Sequence, residues 1–465
     1  MINLSSTITP SEPAVDPVGG RLTPVYRPGA ADQPLLAVVG GELRVPLVDG
    51  SEHRYVNLDY AASAPALQTV VDRVTEFLPF YSSVHRGAGY ASAVSTAVYE
   101  AARREIGHFV GARSDDVVIV TRNTTDGLNL LAGAVPGRVV HLDVEHHANL
   151  LPWRGRDGEM VTAQPSVGET VSALGTALER APAALLAVTG ASNVTGECLP
   201  LAELAGLAHR YGARIAVDAA QLAPHRRLDI AALELDYVAF SGHKLYAPFG
   251  AGALVGRRDW LDAAPPYLAG GGAVVRVRAD GTSWTTAPAR HEAGTPNVVG
   301  AVALAAACRA LINLGASRLI EHEQALLDRL LAGLSELPAV SRLRQWTDAE
   351  EPIAMLSFTV EGRPAELVAQ YLSAEHGIGV RDGRFCAHLL LDRLAPKHDG
   401  TAVRASFGLG SRLADVDRLL VALEQLVRAG PRWTYSASDG YGPVPDPRSW
   451  PQWIVAPTGP ASACA

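Results

Sequence analysis

Short apolar runs alternate with amphipathic stretches through the middle of this chain. The runs are rich in Val, Ile, Leu and Ala and have the length of buried strands, at 116–122, 138–144, 183–190, 213–220 and 236–242. Apolar residues at helical spacing are found before and between them, at 66–79, 92–112, 171–180 and 201–211. This alternation predicts right-handed crossovers and a mainly parallel sheet covered by helices on both faces.

The pattern changes on either side of this region. At 41–60, alternating apolar positions around Asp49 and Gly50 predict a β-hairpin. After a glycine-rich loop at 270–272, a long helix at 298–315 is predicted to lead into a smaller α/β domain. In that domain we predict helices at 319–336, 364–376 and 412–428 and strands at 353–360, 378–381 and 402–407. Four segments result: a flexible leader (1–45), a large domain (46–300) whose first residues pack with the small domain, a small C-terminal domain (301–430) and an irregular tail (431–465).

Composition narrows the range of partners. The 465 residues carry 40 basic and 48 acidic side chains, and the resulting net charge of −8 argues against a nucleic-acid binder. No apolar run reaches the length of a membrane helix, and the first residues lack the features of a secretory signal. The four cysteines have a spacing that suits neither a disulfide framework nor a zinc site. We therefore expect a protein of the reducing cytoplasm without a membrane or nucleic-acid partner and without a bound metal.

The segment Ser241-Gly242-His243-Lys244 directly follows the apolar run 236–242. In an open α/β sheet, ligands bind at the carboxyl ends of the strands. A lysine amine at that position can bind a carbonyl cofactor covalently. From this segment alone, a surface lysine after an edge strand is an equally good interpretation.

Two other strand ends carry groups that suit the same kind of cofactor. Asp218 ends the run 213–220, where an unpaired carboxylate would cost several kcal/mol, and a protonated pyridine nitrogen would be a suitable partner. A helix N-cap is the competing interpretation of Asp218. Thr124 and Thr125 lie where a strand passes into a helix, so backbone amides and hydroxyls there can bind a phosphate. Helix capping explains these threonines equally well.

The next two strands are followed by His146 and Asn193. An imidazole can stack on an aromatic ring and can also transfer a proton. His147 is adjacent, but no third ligand at usable spacing supports a metal site. Asn193 could donate a hydrogen bond to a ring substituent or a substrate, or could simply be a turn residue.

Cys386 lies in a glycine-containing loop together with Arg381, Arg384 and His388. Nearby cations lower the pKa of a thiol and increase its reactivity, so we expect Cys386 to be reactive. Lone cysteines are more often small core residues, which is our interpretation of the other three. Arg404 starts another apolar segment and could bind a carboxylate through both arms of its guanidinium.

Seven motifs, HHANLLPW, SNVTGE, VDAAQ, FSGHKLYAPFGAG, HEAGTPN, VRDGRFCA and VRAS, occur in this order. Together they resemble the class V aminotransferase family of pyridoxal-phosphate enzymes, and within it the group II cysteine desulfurases and selenocysteine lyases of the SufS and CsdA type. The similarity runs from about Asn57 to about Leu426. It implies fold type I: a large domain with a mainly parallel seven-stranded sheet, a small C-terminal α/β domain and a homodimer with composite active sites.

The resemblance also implies a role for each candidate residue. In the pyridoxal 5'-phosphate site, Lys244 would form the Schiff base, Asp218 would pair with the pyridine nitrogen, Gln221 would bond the ring hydroxyl and His146 would stack on the ring. The phosphate would be held by Thr124, Thr125, Ser241 and His243, with Thr295 from the other subunit. The substrate would be bound by Asn193, Arg381, Arg404 and Arg86, and Cys386 would be the nucleophile that becomes a persulfide.

The implied reaction removes sulfur from L-cysteine, gives alanine and passes the sulfur to an acceptor protein. Two motifs depart from the family. Arg384-Phe385 stands where the family usually has His-His before the cysteine, and Ala88-Gly89-Tyr90 follows a motif that usually continues toward a histidine. These changes leave an alternative open: a class V carbon–sulfur lyase, epimerase or aminotransferase that acts on a modified amino acid without Cys386 as the nucleophile.

Overall fold

Two β-sheets organise the chain in a computed structural model that describes residues 31–350, 352–437 and 440–454. The strands are β1 (Arg44–Pro46), β2 (Glu52–Arg54), β3 (Val56–Asn57), β4 (Val117–Thr121), β5 (Val139–Leu142), β6 (Gly158–Val161), β7 (Leu185–Thr189), β8 (Arg214–Asp218), β9 (Tyr237–Ser241), β10 (Gly252–Gly256), β11 (Val274–Arg278), β12 (Gly281–Trp284), β13 (Val340–Arg342), β14 (Met355–Val360), β15 (Ile378–Gly379), β16 (Arg381–Gly383), β17 (Ala402–Ser406), β18 (Tyr435–Ser436) and β19 (Gly442–Pro443). The helices are α1 (Gln68–Phe77), α2 (Tyr90–Phe109), α3 (Thr124–Ala134), α4 (Leu151–Arg154), α5 (Val167–Arg180), α6 (Leu201–Arg210), α7 (Arg258–Ala263), α8 (Val298–Leu314), α9 (Ala316–Ser335), α10 (Ala365–His376), α11 (His388–Leu394) and α12 (Leu413–Ala429).

The large sheet has seven strands in the order β4-β10-β9-β8-β7-β5-β6. Strand β10 is antiparallel to both of its neighbours, β4 and β9, and every other pair in the sheet is parallel. The predicted mainly parallel seven-stranded sheet is therefore confirmed. Strands β7, β8 and β9 are apolar on both faces because helices cover both sides. Their carboxyl ends, which carry the polar candidates, meet at one edge of the sheet.

Two strands of this sheet, β6 and β10, were not predicted. Strand β6 is a partly exposed edge strand of four residues, too short for a periodic signal. Strand β10 lies between two glycines, which by composition predict a turn. Gly252 is required by close packing, because a Cβ there would lie 2.6 Å from the carbonyl oxygen of Phe240 and 2.8 Å from the Cα of Asn123. This approach brings β10 against the start of α3.

The small sheet is antiparallel in the order β13-β14-β17-β16 and packs against α9, α10 and α12. Val56 and Leu58 belong to its core, and β3 pairs with β15. Residues 56–58 thus pack with the small domain. Helix α8, however, packs on α1 and α2 of the large domain, so the predicted boundary at 300 cuts through a helix.

Residues 31–45 are packed rather than free, in contrast to the predicted flexible leader. The backbone amides of Leu35 and Leu36 donate to the carbonyl oxygen of Leu409, and the amide of Leu413 donates to the carbonyl oxygen of Ala31. These bonds fasten the segment to the start of α12. The rest of the predicted leader, 1–30, lies outside the described residues.

Within the described ranges, no single helix is long and apolar enough to cross a membrane. Helices α8 and α9 reach the required length and composition only when taken together, and the chain bends by 85° between them. Gly315, with a φ of 83°, connects the two.

The described part of the predicted irregular tail is fastened to α10. Strands β18 and β19 form a small antiparallel pair. The buried carboxylate of Glu375 accepts hydrogen bonds from the amides of Arg432 (3.1 Å) and Trp433 (3.1 Å) and from the Tyr435 hydroxyl (3.2 Å). Polar contacts with Glu375, rather than an apolar face, hold this segment. Its sequence therefore shows no apolar periodicity.

Replacing Glu375 should therefore destabilise the protein. In Glu375→Ala the tail donors lose their buried acceptor, and we expect a loss of about 2 kcal/mol in the free energy of unfolding, measured by urea denaturation. Glu361→Ala, which removes an exposed acid, is the control and should change it by less than about 0.5 kcal/mol. Equal effects of the two changes would contradict the anchoring role of Glu375.

Candidate active site

A cavity of ≈ 280 Å³ lies at the carboxyl edge of the large sheet, where the small domain faces it. Its lining includes the sequence-predicted residues Thr124, Thr125, His146, Asn193, Asp218, Gln221, Ser241, His243, Lys244, Arg381, Cys386 and Arg404. The first nine come from the large domain and the last three from the small one. The structure thus brings together in one cavity residues that are up to 280 positions apart in the chain, such as Thr124 and Arg404.

Lys244 is one of two lysines in the whole sequence, the other being the exposed Lys397. Burial lowers the pKa of Lys244 from its ordinary value near 10.5 to about 8, although the Asp218 carboxylate acts in the opposite direction. A substantial share of the amine is therefore neutral near neutral or mildly alkaline pH. This is the form that attacks a carbonyl group or accepts a proton.

Asp218 is the last residue of β8 and is buried. Its Oδ1 accepts a hydrogen bond from the amide of Ala220 at 2.9 Å, and burial raises its pKa. Its charge is therefore incompletely compensated by the protein, which suits a cationic ring nitrogen. Gln221 is held nearby because its Nε2 donates to the carbonyl oxygen of Ala61 at 2.9 Å.

The start of α3 forms a polar pocket at the other end of the cavity. Asn123 caps the helix by accepting from the amide of Asp126 at 2.9 Å. The Thr124 amide donates to Ser241 Oγ at 2.8 Å, and the two hydroxyls lie 2.7 Å apart. A helix N-terminus with two hydroxyls is a binding site for an anion such as phosphate. His243 lines the same cavity, and burial followed by the nearby Lys244 lowers its pKa to about 4.

His146 is also neutral. Burial first, and then the charge of Lys244, lower its pKa to about 3. Its Nδ1 accepts a hydrogen bond from the amide of Ala148 at 3.0 Å, which assigns the single ring proton to Nε2. Beneath it, Glu145 is fully enclosed and burial raises its pKa to about 8.

The Cys386 loop has an unusual backbone that two large-domain residues hold in place. Phe385 and Cys386 have φ angles of 50° and 53°, in the left-handed region that non-glycine residues seldom adopt. Asn193 Nδ2 donates to the carbonyl oxygen of Phe385 at 2.7 Å, and the His147 amide donates to that of Cys386 at 2.9 Å. The loop therefore depends on contacts across the two domains.

The cations around Cys386 differ from those expected. Arg384 is paired with Asp392 at 2.7 Å and with the carbonyl oxygen of Asp399, so its charge is not directed into the cavity. The thiol interacts instead with Lys244 and Arg404. The orientation of Arg384 could not be seen in the sequence, because it depends on where α11 places Asp392.

Residues 56–419 match the family model for Aminotransferase class-V. The chain belongs to this family. A probable cysteine desulfurase of Vibrio cholerae is 35% identical over 385 residues, which cover 80% of this chain and 93% of that protein. A probable cysteine desulfurase of Mycolicibacterium paratuberculosis is 34% identical, and this chain spans only 55% of that protein's length.

Solved structures agree with this assignment. The cysteine desulfurase CsdA of Escherichia coli has a TM-score of 0.71 and 33% identity, covering 80% of this chain and 94% of that one. The cysteine desulfurase of Thermococcus onnurineus NA1 has a TM-score of 0.74 and 32% identity, covering 80% of this chain and 95% of that one. Class V aminotransferases use pyridoxal phosphate, and the site fits this cofactor. A buried amine, an undercompensated carboxylate, a neutral imidazole and an anion pocket surround one cavity. Among the described residues, no group of three potential ligands could hold a metal ion.

Asp59, which the sequence did not indicate, contacts the site through Arg404. The buried Arg404 donates through Nη1 to the carbonyl oxygen of Asn193 at 2.8 Å and through Nη2 to Asp59 Oδ1 at 3.3 Å. The only signal in the sequence is an acid directly after the apolar Leu58, which is too common to single out.

Two residues that the resemblance to class V aminotransferases suggested for the site do not line the cavity of this chain. Arg86 is exposed and lies against Gly271 and Gly272. Thr295 is also exposed, and its predicted role was in the site of another subunit. The roles of both residues stay predictions.

The lowered pKa of Lys244 makes a pH-dependent prediction. In the cofactor-free protein, acetylation of Lys244 by acetic anhydride should increase as pH rises through about 8. Peptide mass spectrometry of the samples at each pH should follow the acetylated Lys244 peptide. Asp218→Asn removes a charge that raises the pKa of Lys244, so the midpoint should move below 8. A midpoint for Lys244 near its ordinary value of 10.5 would contradict the burial of this amine.

Proposed function

We propose that this chain is a pyridoxal-phosphate-dependent cysteine desulfurase that converts L-cysteine to alanine and leaves the sulfur as a persulfide on Cys386. The observation that carries the proposal is the presence of Lys244, Arg404 and Cys386 around one cavity. A proton-accepting amine, a carboxylate-binding cation and a thiol are the three groups that this reaction requires. The relatives named as cysteine desulfurases support the same conclusion.

In the proposed site, the residues of the large domain hold the cofactor. Asp218 would pair with the ring nitrogen and His146 would lie against the ring, while Thr124 and Ser241 would bind the phosphate at the start of α3. When bound, pyridoxal phosphate supplies an electron sink for the pair that remains when the substrate's Cα proton leaves. Lys244, neutral above about pH 8, takes that proton.

Residues at the interface between the two domains position the substrate. Arg404 binds the substrate carboxylate, since its guanidinium is buried and faces the cavity beside Arg381. Asn193 links this cation to the Cys386 loop, because its carbonyl oxygen binds Arg404 and its amide binds the loop. Substrate binding and the position of the thiol are therefore connected through one residue.

The sulfur transfer then uses Cys386. Its thiolate attacks the substrate sulfur, a sulfur–sulfur bond forms and the bond from the substrate sulfur to Cβ breaks. The electron pair of the broken bond stays with the substrate, which takes up a proton at Cβ, regains the Cα proton from Lys244 and leaves as alanine. The sulfur remains on Cys386 as a persulfide, and we assign its removal to an acceptor protein.

The residue before Cys386 supports a second candidate function. The side chain that precedes Cys386 is Phe385, which packs on Arg404 with 5.1 Å between the guanidinium carbon and the ring centre. This position therefore offers no imidazole to exchange protons with the thiol. A class V carbon–sulfur lyase, epimerase or aminotransferase that does not use Cys386 as a nucleophile would tolerate this replacement.

The proposal includes a homodimer in the cytoplasm. Exposed apolar side chains on the hairpin β11–β12, Val275 and Val277, and on α2, Tyr90, favour a second copy as their partner. Thr295 and Arg86, which are exposed in one chain, would then be available to the partner's site. The three cysteines that the structure describes are free, which is consistent with a reducing compartment.

The persulfide can be tested directly. After incubation with L-cysteine, mass spectrometry should find one additional sulfur atom on the Cys386 peptide, and Cys386→Ala should lower alanine formation by at least about 100-fold. Cys198→Ala is the matched control and should retain activity, because burial raises the pKa of this thiol to about 11 and leaves it unreactive. Undiminished alanine formation by Cys386→Ala would exclude the persulfide mechanism and favour the alternative class V reactions.

A further inference from the structure

Asp59 does not line the cavity itself, but it pairs with the lining residue Arg404, and the proposed reaction does not use it. It follows β3 and lies beside Arg404, and its side chain is 25% exposed. Its charge also interacts with Arg381 and Lys244. It therefore lies within the group of cations that would receive an anionic substrate.

The contacts of Arg404 show where a carboxylate can bind. Nη1 is used by the carbonyl oxygen of Asn193, and one face of the guanidinium is covered by Phe385. Nη2 has only the long 3.3 Å bond to Asp59, and the buried Nε has no hydrogen-bond partner among the described residues. The edge formed by Nε and Nη2 is therefore the one that can take a carboxylate through two bonds. A carboxylate on that edge must share or replace the contact with Asp59.

We propose that Asp59 determines substrate specificity: it is the counter-ion of Arg404 in the empty site, and its charge excludes amino acids that carry a second anionic group. This inference rests on the proposed function, since it takes an amino-acid carboxylate as the ligand of Arg404. One carboxylate can take the position that Asp59 holds on Nη2. A second anionic group in the same cavity then meets the negative charge of Asp59.

The other charges around the cavity support this role. Arg404, Arg381 and Lys244 are the cations that interact with Asp59, and Asp218 lies beyond Lys244. Burial raises the pKa of Asp59, while Arg404 and Arg381 act to keep it ionised. Asp382 also interacts with Arg381, but Asp59 is the acid that is bonded to Arg404. Without Asp59, Arg404 would lose this counter-ion, and the cavity would favour a substrate with two carboxylates more than it does now.

The carboxylate of Asp59 can be neutralised without disturbing the backbone. The amide of Asp59 donates to Asn57 Oδ1 at 2.9 Å, and its carbonyl oxygen accepts from the amide of Ala62 at 3.1 Å. Neither bond involves the carboxylate. Asp59→Asn keeps the size of the side chain and both backbone bonds, so it changes chiefly the charge.

The test compares two ligands of equal size, L-asparagine and L-aspartate, by calorimetric titration of the cofactor-loaded protein. The wild type should bind asparagine more tightly than aspartate by at least about tenfold, since like charges repel across a partly buried site. In Asp59→Asn this ratio should fall by about tenfold or more. Asp382→Asn is the matched control, because Asp382 is a half-buried acid next to Arg381 on β16, and it should leave the ratio unchanged.

Three results would overturn the proposal. These are an unchanged ratio in Asp59→Asn, an equal change in Asp382→Asn, or no binding of asparagine by the wild type at the highest soluble concentration. Because the titration needs no turnover, it is independent of the persulfide reaction. A protein that shows the charge discrimination but forms no Cys386 persulfide would keep this inference and refute the desulfurase proposal.

Discussion

The burial of titratable groups in one cavity determines the electrostatics of the site. Burial lowers the pKa of Lys244 to about 8. Their own burial first, and then the positive charge of Lys244, hold His146 and His243 in their neutral forms. The Asp218 carboxylate raises the pKa of Lys244 and so offsets part of the burial effect, whereas the charge of Arg404 lowers that pKa further. The large sheet makes this burial possible because its parallel strands end at one edge. The groups that follow these strands, which are Lys244, Asp218, His146 and His243, line one cavity there.

The small domain supplies the part of the cavity that would bind substrate and sulfur. Arg381 and Arg404 come from neighbouring strands of the small sheet, where they are paired in register. Their positions relative to Lys244 depend on contacts across the joint, chiefly those that Asn193 makes with Arg404 and with the Cys386 loop. A change in the docking of the two domains would therefore alter the position of Arg404 and of the thiol together, while leaving the polar pocket at the start of α3 intact.

The sequence predicted the features that follow from local physics. Parallel strands buried on both faces are continuous apolar runs, so the positions of Asp218 and Lys244 at the carboxyl ends of strands could be inferred from the order of residues alone. Strand β10 could not be inferred, because Gly252 serves close packing against the start of α3 and Gly256 serves close packing against Asp236, rather than a turn. Asp59 was missed for a related reason: its importance comes from Arg404, which lies 345 residues later. The direction of Arg384 and the anchoring of the tail on Glu375 also depend on tertiary partners that no spacing in the chain reveals.

We propose that Lys244 is the residue to which this class V protein attaches its cofactor. The protein has two lysines, so the claim can be decided by incubating it with pyridoxal phosphate, trapping the bound cofactor with borohydride and mapping the modified peptide. We expect modification of Lys244 and none of Lys397, with loss of the modification in Lys244→Ala. Labelling of Lys397 instead, or no labelling of either lysine, would contradict it.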